Sequence, residues 1–238
     1  MKKILVTISI LISVLNASNF IGGQSSMNLN SDPMAGMMNS GSSEIENKKK
    51  NYKELISFLE KSTNGEYAMY LAVLYLNGSL TPDELGNTVD KDIDKAEKFF
   101  KKSINLGYFE SAAILGSLYL FDDGFIVKEN NIEKAEYFLS LAIKNEIYEA
   151  TVALSSIYFF YKKDVNKGLE VLMIGADKGV SSAQLGIATL FAYGSKDLDI
   201  KQNKMLANKY LEKACLNKVQ TKKVKEFCHS KNVIREDK

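Results

Sequence analysis

Cys215, Cys228 and His229 are the side chains whose type and spacing could support thiol, metal or acid–base chemistry. They have little company. The 238 residues hold two cysteines, one histidine and no tryptophan. A zinc centre needs about four N or S ligands, and a histidine-assisted nucleophile needs a third group to orient the imidazole. Neither set can be assembled from this inventory. The S-x-x-K, S-D-N and K-T-G runs of serine acyl chemistry are absent, as are glycine-rich lysine phosphate loops. Met27, Met34, Met37 and Met38 are soft thioethers that could hold Cu(I), but no His or Cys accompanies them, so a low-complexity tether is expected instead. The expectation is no catalytic residue, no cofactor and no metal site.

The two cysteines read differently once the N-terminus is considered. Residues 1–17 carry Lys2 and Lys3, an apolar run from Ile4 to Leu15, and Ala17 as a small residue for cleavage. That is the layout of a secretory leader, and a mainly apolar run of twelve residues falls short of the ~20 that span a bilayer. An exported chain with an even cysteine count favours a disulfide between Cys215 and Cys228. A turn near Val219–Lys222 would bring them side by side, and His229 is then a surface neighbour of a structural cysteine. Formal net charge is +2, and both excess charges sit in the leader, leaving 29 basic and 29 acidic residues. Such a balance gives no global pull toward nucleic acid, and no transmembrane segment is expected after leader cleavage.

Residues 18–50 are rich in Ser, Asn, Gly and Met and show no period, so they are expected to form a disordered linker. Over residues 51–65, Leu55, Ile56, Phe58 and Leu59 make a helical stripe that ends near Gly65, an N-terminal capping helix. Repeats fill residues 66–218. One set of helices shows a large, a small and an aromatic column: Leu71, Leu115, Leu154, Leu185, then Ala72, Gly116, Ser155, Gly186, then Tyr75, Tyr119, Tyr158 and Thr189. The second set opens on Asp92, Asn131, Asp164 and Asn203, side chains that cap a first turn at about 1 kcal/mol each. Small, large and small columns follow: Ala96, Ala135, Gly168, Ala207; Phe99, Phe138, Val171, Tyr210; Ser103, Ala142, Gly175, Ala214. Close-packed helix pairs are the physical reading. Residues 219–238 are expected to form a C-terminal capping helix and tail.

These columns resemble the Sel-one-like repeat family of the tetratricopeptide superfamily. The likeness rests on Asp92, Lys95, Ala96, Phe99, Lys102, Ser103 and Gly107, then Ser111, Leu115, Gly116 and Tyr119. The resemblance implies an all-α, right-handed α/α superhelical solenoid of about four helical hairpins with capping helices. It also implies that first helices line a concave face and that the protein is an exported, periplasmic or extracellular adaptor for a protein or peptide.

Carried over residue by residue, the family's groove positions are Glu66, Glu110, Glu149 and Val180; Met69, Ala113, Val152 and Ala183; Val73, Ser117, Ser156 and Ile187; and Leu76, Leu120, Phe159 and Leu190. They describe an apolar trough with an acidic row, suited to a peptide with apolar anchors and a basic edge. Two other functions stay open at this point. One is a cell-wall enzyme with weak β-lactam hydrolysis or penicillin binding, suggested by cysteine-rich members of the same family. The other is a structural envelope scaffold that makes its contacts on the convex side. Oligomeric state is left undetermined.

Overall fold

The computed structural model describes residues 51–79, 85–120, 131–218, 220 and 222–230. The leader, the linker with its four methionines and the last eight residues lie outside the described residues. Ten helices follow in order: α1 Tyr52–Lys61, α2 Gly65–Asn77, α3 Ile93–Asn105, α4 Glu110–Leu120, α5 Ile132–Lys144, α6 Ala150–Ser156, α7 Val165–Asp177, α8 Ser181–Tyr193, α9 Lys204–Leu216 and α10 Lys222–Ser230. One isolated antiparallel bridge, Ser195 to Ile200, lies in the α8–α9 connection. The chain is an all-α solenoid. Its hairpins are α2–α3, α4–α5, α6–α7 and α8–α9, each stacked on the next, with α1 against α2 and α10 against α9 and α8.

The capping column starts every second helix. Asp92, Asn131 and Asp164 each accept from the amide three residues on at 2.9 Å, and Asn203 does so at 3.0 Å. Asn51 and Asn64 cap α1 and α2 in a similar way, each with an oxygen accepting from two amides. Thus α1 stops at Lys61 and not near Gly65. Gly65 opens the following helix, where Asn64 frees its first-turn amides from water. A Cβ at Gly65 would lie 2.7 Å from that of Tyr108, so this entry is also sterically tight.

First and second helices are buried to different degrees. Ala68 through Leu76 of α2 are all buried in sequence, and so are Ser111 through Ser117 of α4. Second helices bury one stripe only; in α3 it is Ala96, Phe99, Phe100, Ser103 and Ile104. A helix enclosed on all sides has no need of a polar face, whereas one on the outside keeps it. One core runs from Tyr52 to Val171, a second from Val152 to Tyr210, and a third joins Ala214, Cys215, Val224 and Cys228.

Turns between hairpins share one geometry. Gly107, Glu146 and Gly179 lie in the left-handed region at φ of 87°, 67° and 89°. The next amide, of Tyr108, Ile147 or Val180, donates back to the carbonyl of Ser103, Ala142 or Gly175 at 3.1, 3.0 and 2.9 Å. This is the six-to-one closure that satisfies helix-end carbonyls. Inside each hairpin the second helix's cap amide donates to a first-helix carbonyl: Asp92 to Tyr75, Asn131 to Tyr119, Asp164 to Tyr158 and Asn203 to Phe191.

Those two closures correct the register of the fourth hairpin. Val180 is equivalent to Tyr108 and Phe191 to Tyr119, so the fourth copy reads Ala183, Ile187, Ala188, Phe191. The sequence columns had placed Leu185, Gly186 and Thr189 there. Two large–small pairs, Leu185–Gly186 and Ile187–Ala188, stand two residues apart, and column matching took the first. Ile187 and Ala188 are buried, whereas Leu185 and Thr189 are half-buried.

The third hairpin is the most compressed. Its first helix continues as a π turn, Ile157–Tyr161, and reaches Asp164 in three residues with Lys163 at φ 55°. Gly168 replaces the usual alanine of its column because a Cβ there would meet the Phe159 ring at 2.5 Å.

Candidate partner-binding face

The first helices are held in place by bonds that recur across the stacking seams. The Tyr119 hydroxyl donates to Glu97 Oε1 at 2.6 Å, and 39 residues later Tyr158 donates to Glu136 Oε1 at 2.8 Å. Each glutamate also takes a lysine, Lys101 and Lys162 respectively, both at 2.5 Å. Burial opposes the charge on Glu97 and Glu136, but the bonds from lysine and tyrosine outweigh it and hold both carboxyls below the usual range. The partnered hydroxyls shift upward, first through burial and then through the glutamates, Tyr158 to about 12. In the next seam the equivalent residues are Phe191 and Leu169, and both pack on the second core. A polar pair has been exchanged for an apolar one.

Tyr75 and Tyr119 also stack on the second-helix rings Phe99 and Phe138 of their own hairpins, with centroids 5.7 and 5.9 Å apart. Lys95 and Lys134, three residues after the cap, lie over the same tyrosines at 4.9 and 5.1 Å. Lys95, Tyr75 and Phe99, like Lys134, Tyr119 and Phe138, are therefore engaged in positioning.

Of the expected groove positions, Met69, Val73, Leu76, Ala113, Ser117, Leu120, Val152, Ser156 and Phe159 are all buried. Ser117 and Ser156 turn their hydroxyls to carbonyls one turn back, Ala113 at 2.8 Å and Val152 at 3.0 Å. The acids differ. Glu110 is exposed, and Glu66 and Glu149 are half-buried. With its register corrected, the fourth hairpin contributes Ser182, Leu185, Thr189 and Ala192 in place of Val180, Ala183, Ile187 and Leu190. All four of the new residues are half-buried. Leu185 touches the core that holds the cysteines.

Tyr108 was not anticipated at this face. Its hydroxyl is pushed up to about 12, first by burial and then by the charges of Glu110 and Glu66. Two members of the acidic row thus act electrostatically on one phenol. A sequence signal was available, since Tyr108 directly follows the left-handed Gly107 and leads into the first helix.

Cys215 and Cys228 are joined as a disulfide with Cα atoms 5.6 Å apart, and His229 beside them is exposed. Among the described residues no cluster of three or more His, Cys, Asp or Glu could hold a metal ion, and no helix is long and apolar enough to cross a membrane. The family model of the Sel1 repeat matches residues 65–108, 109–146 and 181–218.

The chain belongs to the Sel1 repeat family. Its members are helical-repeat modules for protein interaction. The third hairpin, residues 147–180, is the one without a match, in line with its shortened connection and π turn. Among solved structures, the chain resembles c5321, a protective antigen of uropathogenic Escherichia coli strains displaying an SLR fold. The two share 18% identity at a TM-score of 0.53, over 68% of this chain and 32% of that one. A Sel1 repeat protein from Oxalobacter formigenes gives the same identity and TM-score over 68% of this chain and 44% of that one. The chain therefore spans less than half the length of either structure, and the likeness is one of fold. No curated protein matches it.

Proposed function

We propose that this Sel1 repeat protein is an exported adaptor that holds a peptide or protein on its first-helix face. One observation carries the reading. Among the described residues Glu66, Glu110 and Glu149 form no ion pair and recur at one position of three successive first helices, whereas on the second helices Glu97, Glu136 and Glu170 are matched to lysines and Asp94, Glu133 and Glu212 are not. Acids left unmatched along one edge are available to a basic partner. The half-buried Leu185, Thr189 and Ala192 extend the face with apolar contact. Export rests on the Met1–Ala17 leader pattern and on a disulfide of the kind that persists outside the cytosol.

Crosslinking of the mature protein in an envelope extract, followed by mass spectrometry, identifies the partner. Calorimetry with the purified partner then compares wild type with Glu110→Lys/Glu149→Lys. The expected result is at least about a tenfold loss of affinity for the reversed protein and steep salt dependence for the wild type. Unchanged affinity would move the contact to the convex side.

A further inference from the structure

The near-neutral chain is divided electrically. Between Lys201 and Ser230 there are eight lysines and two acids, Glu212 and Glu226, whereas residues 51–199 hold 15 basic and 22 acidic residues. Four of those eight lysines fall on α9 and the turn that follows, and three on α10. Lys204, Lys209, Lys213 and Lys218 are all exposed there. Lys204 stands in the first turn of α9, where a cation opposes the helix dipole, so helix stability is no reason for it to be there.

The outward stripe of α9 is Met205, Lys209, Glu212 and Leu216, at spacings of four, three and four that keep one helix face. Met205 is 81% exposed and Leu216 69%, above every other exposed large apolar residue among those described. Two protruding aliphatic side chains, one near each end of a helix anchored by Ala207, Tyr210 and Ala214, stand beside exposed lysines and offer apolar anchors next to cationic contacts. Lysine ammoniums are attracted to anionic headgroups while Met and Leu enter the acyl boundary. Single-strand nucleic-acid surfaces add stacking aromatics to their cationic phosphate contacts, and this stripe holds none. Glu212 is the single charge on it that opposes the contact.

We infer that the outward face of α9 docks this protein on an anionic lipid surface, with Lys204, Lys209 and Lys218 as charge contacts and Met205 and Leu216 as inserted anchors. The site is independent of the acidic first-helix edge, so the adaptor could hold a partner while docked.

Co-sedimentation of the full chain with vesicles tests this. One set contains phosphatidylglycerol in phosphatidylcholine and the other phosphatidylcholine alone. The full chain should pellet with the first at about 0.1 M salt, be released at about 0.5 M, and stay in solution with the second. Lys204→Glu/Lys209→Glu should weaken binding by about tenfold or more. Met205→Ser/Leu216→Ser should weaken it without changing its salt dependence. Lys213 is left intact because it pairs with Asp177 at 3.8 Å, and circular dichroism checks that each variant keeps its helices. Equal pelleting with both vesicle types, or equal pelleting of wild type and the lysine variant, overturns the assignment. So does salt-sensitive self-association that vesicles do not affect, because it would give the face to a second copy of the chain.

Discussion

Tyr119 and Tyr158 occupy the same column and make the same bond to a glutamate one repeat back, so each acts as a rivet between hairpins. A neutral donor on a carboxylate is worth about 1.5–3 kcal/mol when well shielded, and these sites are partly open. Tyr158→Phe is expected to cost about 1–2 kcal/mol in urea unfolding. Because the folded chain holds Glu97 and Glu136 below the usual carboxylate range, the unfolded chain takes up protons first as pH falls. Their contribution is complete above the ordinary carboxylate pKa and is lost as pH drops through the lowered one. Thermal melts should therefore separate wild type from Glu97→Gln/Glu136→Gln at pH 7, and the gap should narrow toward pH 3. Two glycines test the packing from opposite directions. A Cβ on Gly116 would lie 2.8 Å from Leu139 Cγ and 3.0 Å from its backbone nitrogen, so Gly116→Ala should destabilise by about 1–3 kcal/mol. At Gly186 the nearest atom is 3.5 Å away, and Gly186→Ala should gain about 0.5–1 kcal/mol through helix propensity. Had Gly186 belonged to the close-packed small column, both changes would destabilise.

Each hairpin is closed by the same backbone bonds despite connections of very different length, and this explains what was legible from residue types. Asp92, Asn131, Asp164 and Asn203 stand at the start of second helices because a short oxygen acceptor there serves a free amide, and that requirement shows directly in sequence. The register of α8 did not show, because Leu185–Gly186 and Ile187–Ala188 satisfy the same large–small rule and the backbone closures from Val180 to Gly175 and from Asn203 to Phe191 are what separate them. The π turn of α6 was also hidden. It is the backbone's response to a three-residue connection, and no residue type announces it. The pairing of Cys215 with Cys228 was readable from their even count, the leader pattern and the turn midway between them, and it ties α10 to the last hairpin through a small core. Closing a loop of this size stabilises by about 3 kcal/mol. Reduction should accordingly release α10 first, seen as faster hydrogen exchange over residues 222–230 with α2–α5 unchanged.

At the scale of the molecule, columns of apolar residues could establish a solenoid but could not say which of its faces stays open. Met69, Val73 and Leu76 satisfy the groove pattern and the core pattern equally, and in the folded chain they lie in the core. Glu66, Glu110 and Glu149, which form no ion pair among the described residues, and the half-buried Leu185, Thr189 and Ala192 are what the proposed face leaves accessible. Charge is distributed with the same economy, acidic residues prevailing along the array and lysines at its C-terminal end, which a near-zero total conceals. The partner claim is tested most directly by the dissociation constant of the crosslinked partner for wild type against Glu110→Lys/Glu149→Lys, measured at low and high salt. An adaptor that uses this face predicts about a tenfold or greater loss for the variant at low salt, shrinking as salt rises. Equal affinity for both proteins at every salt concentration would contradict it.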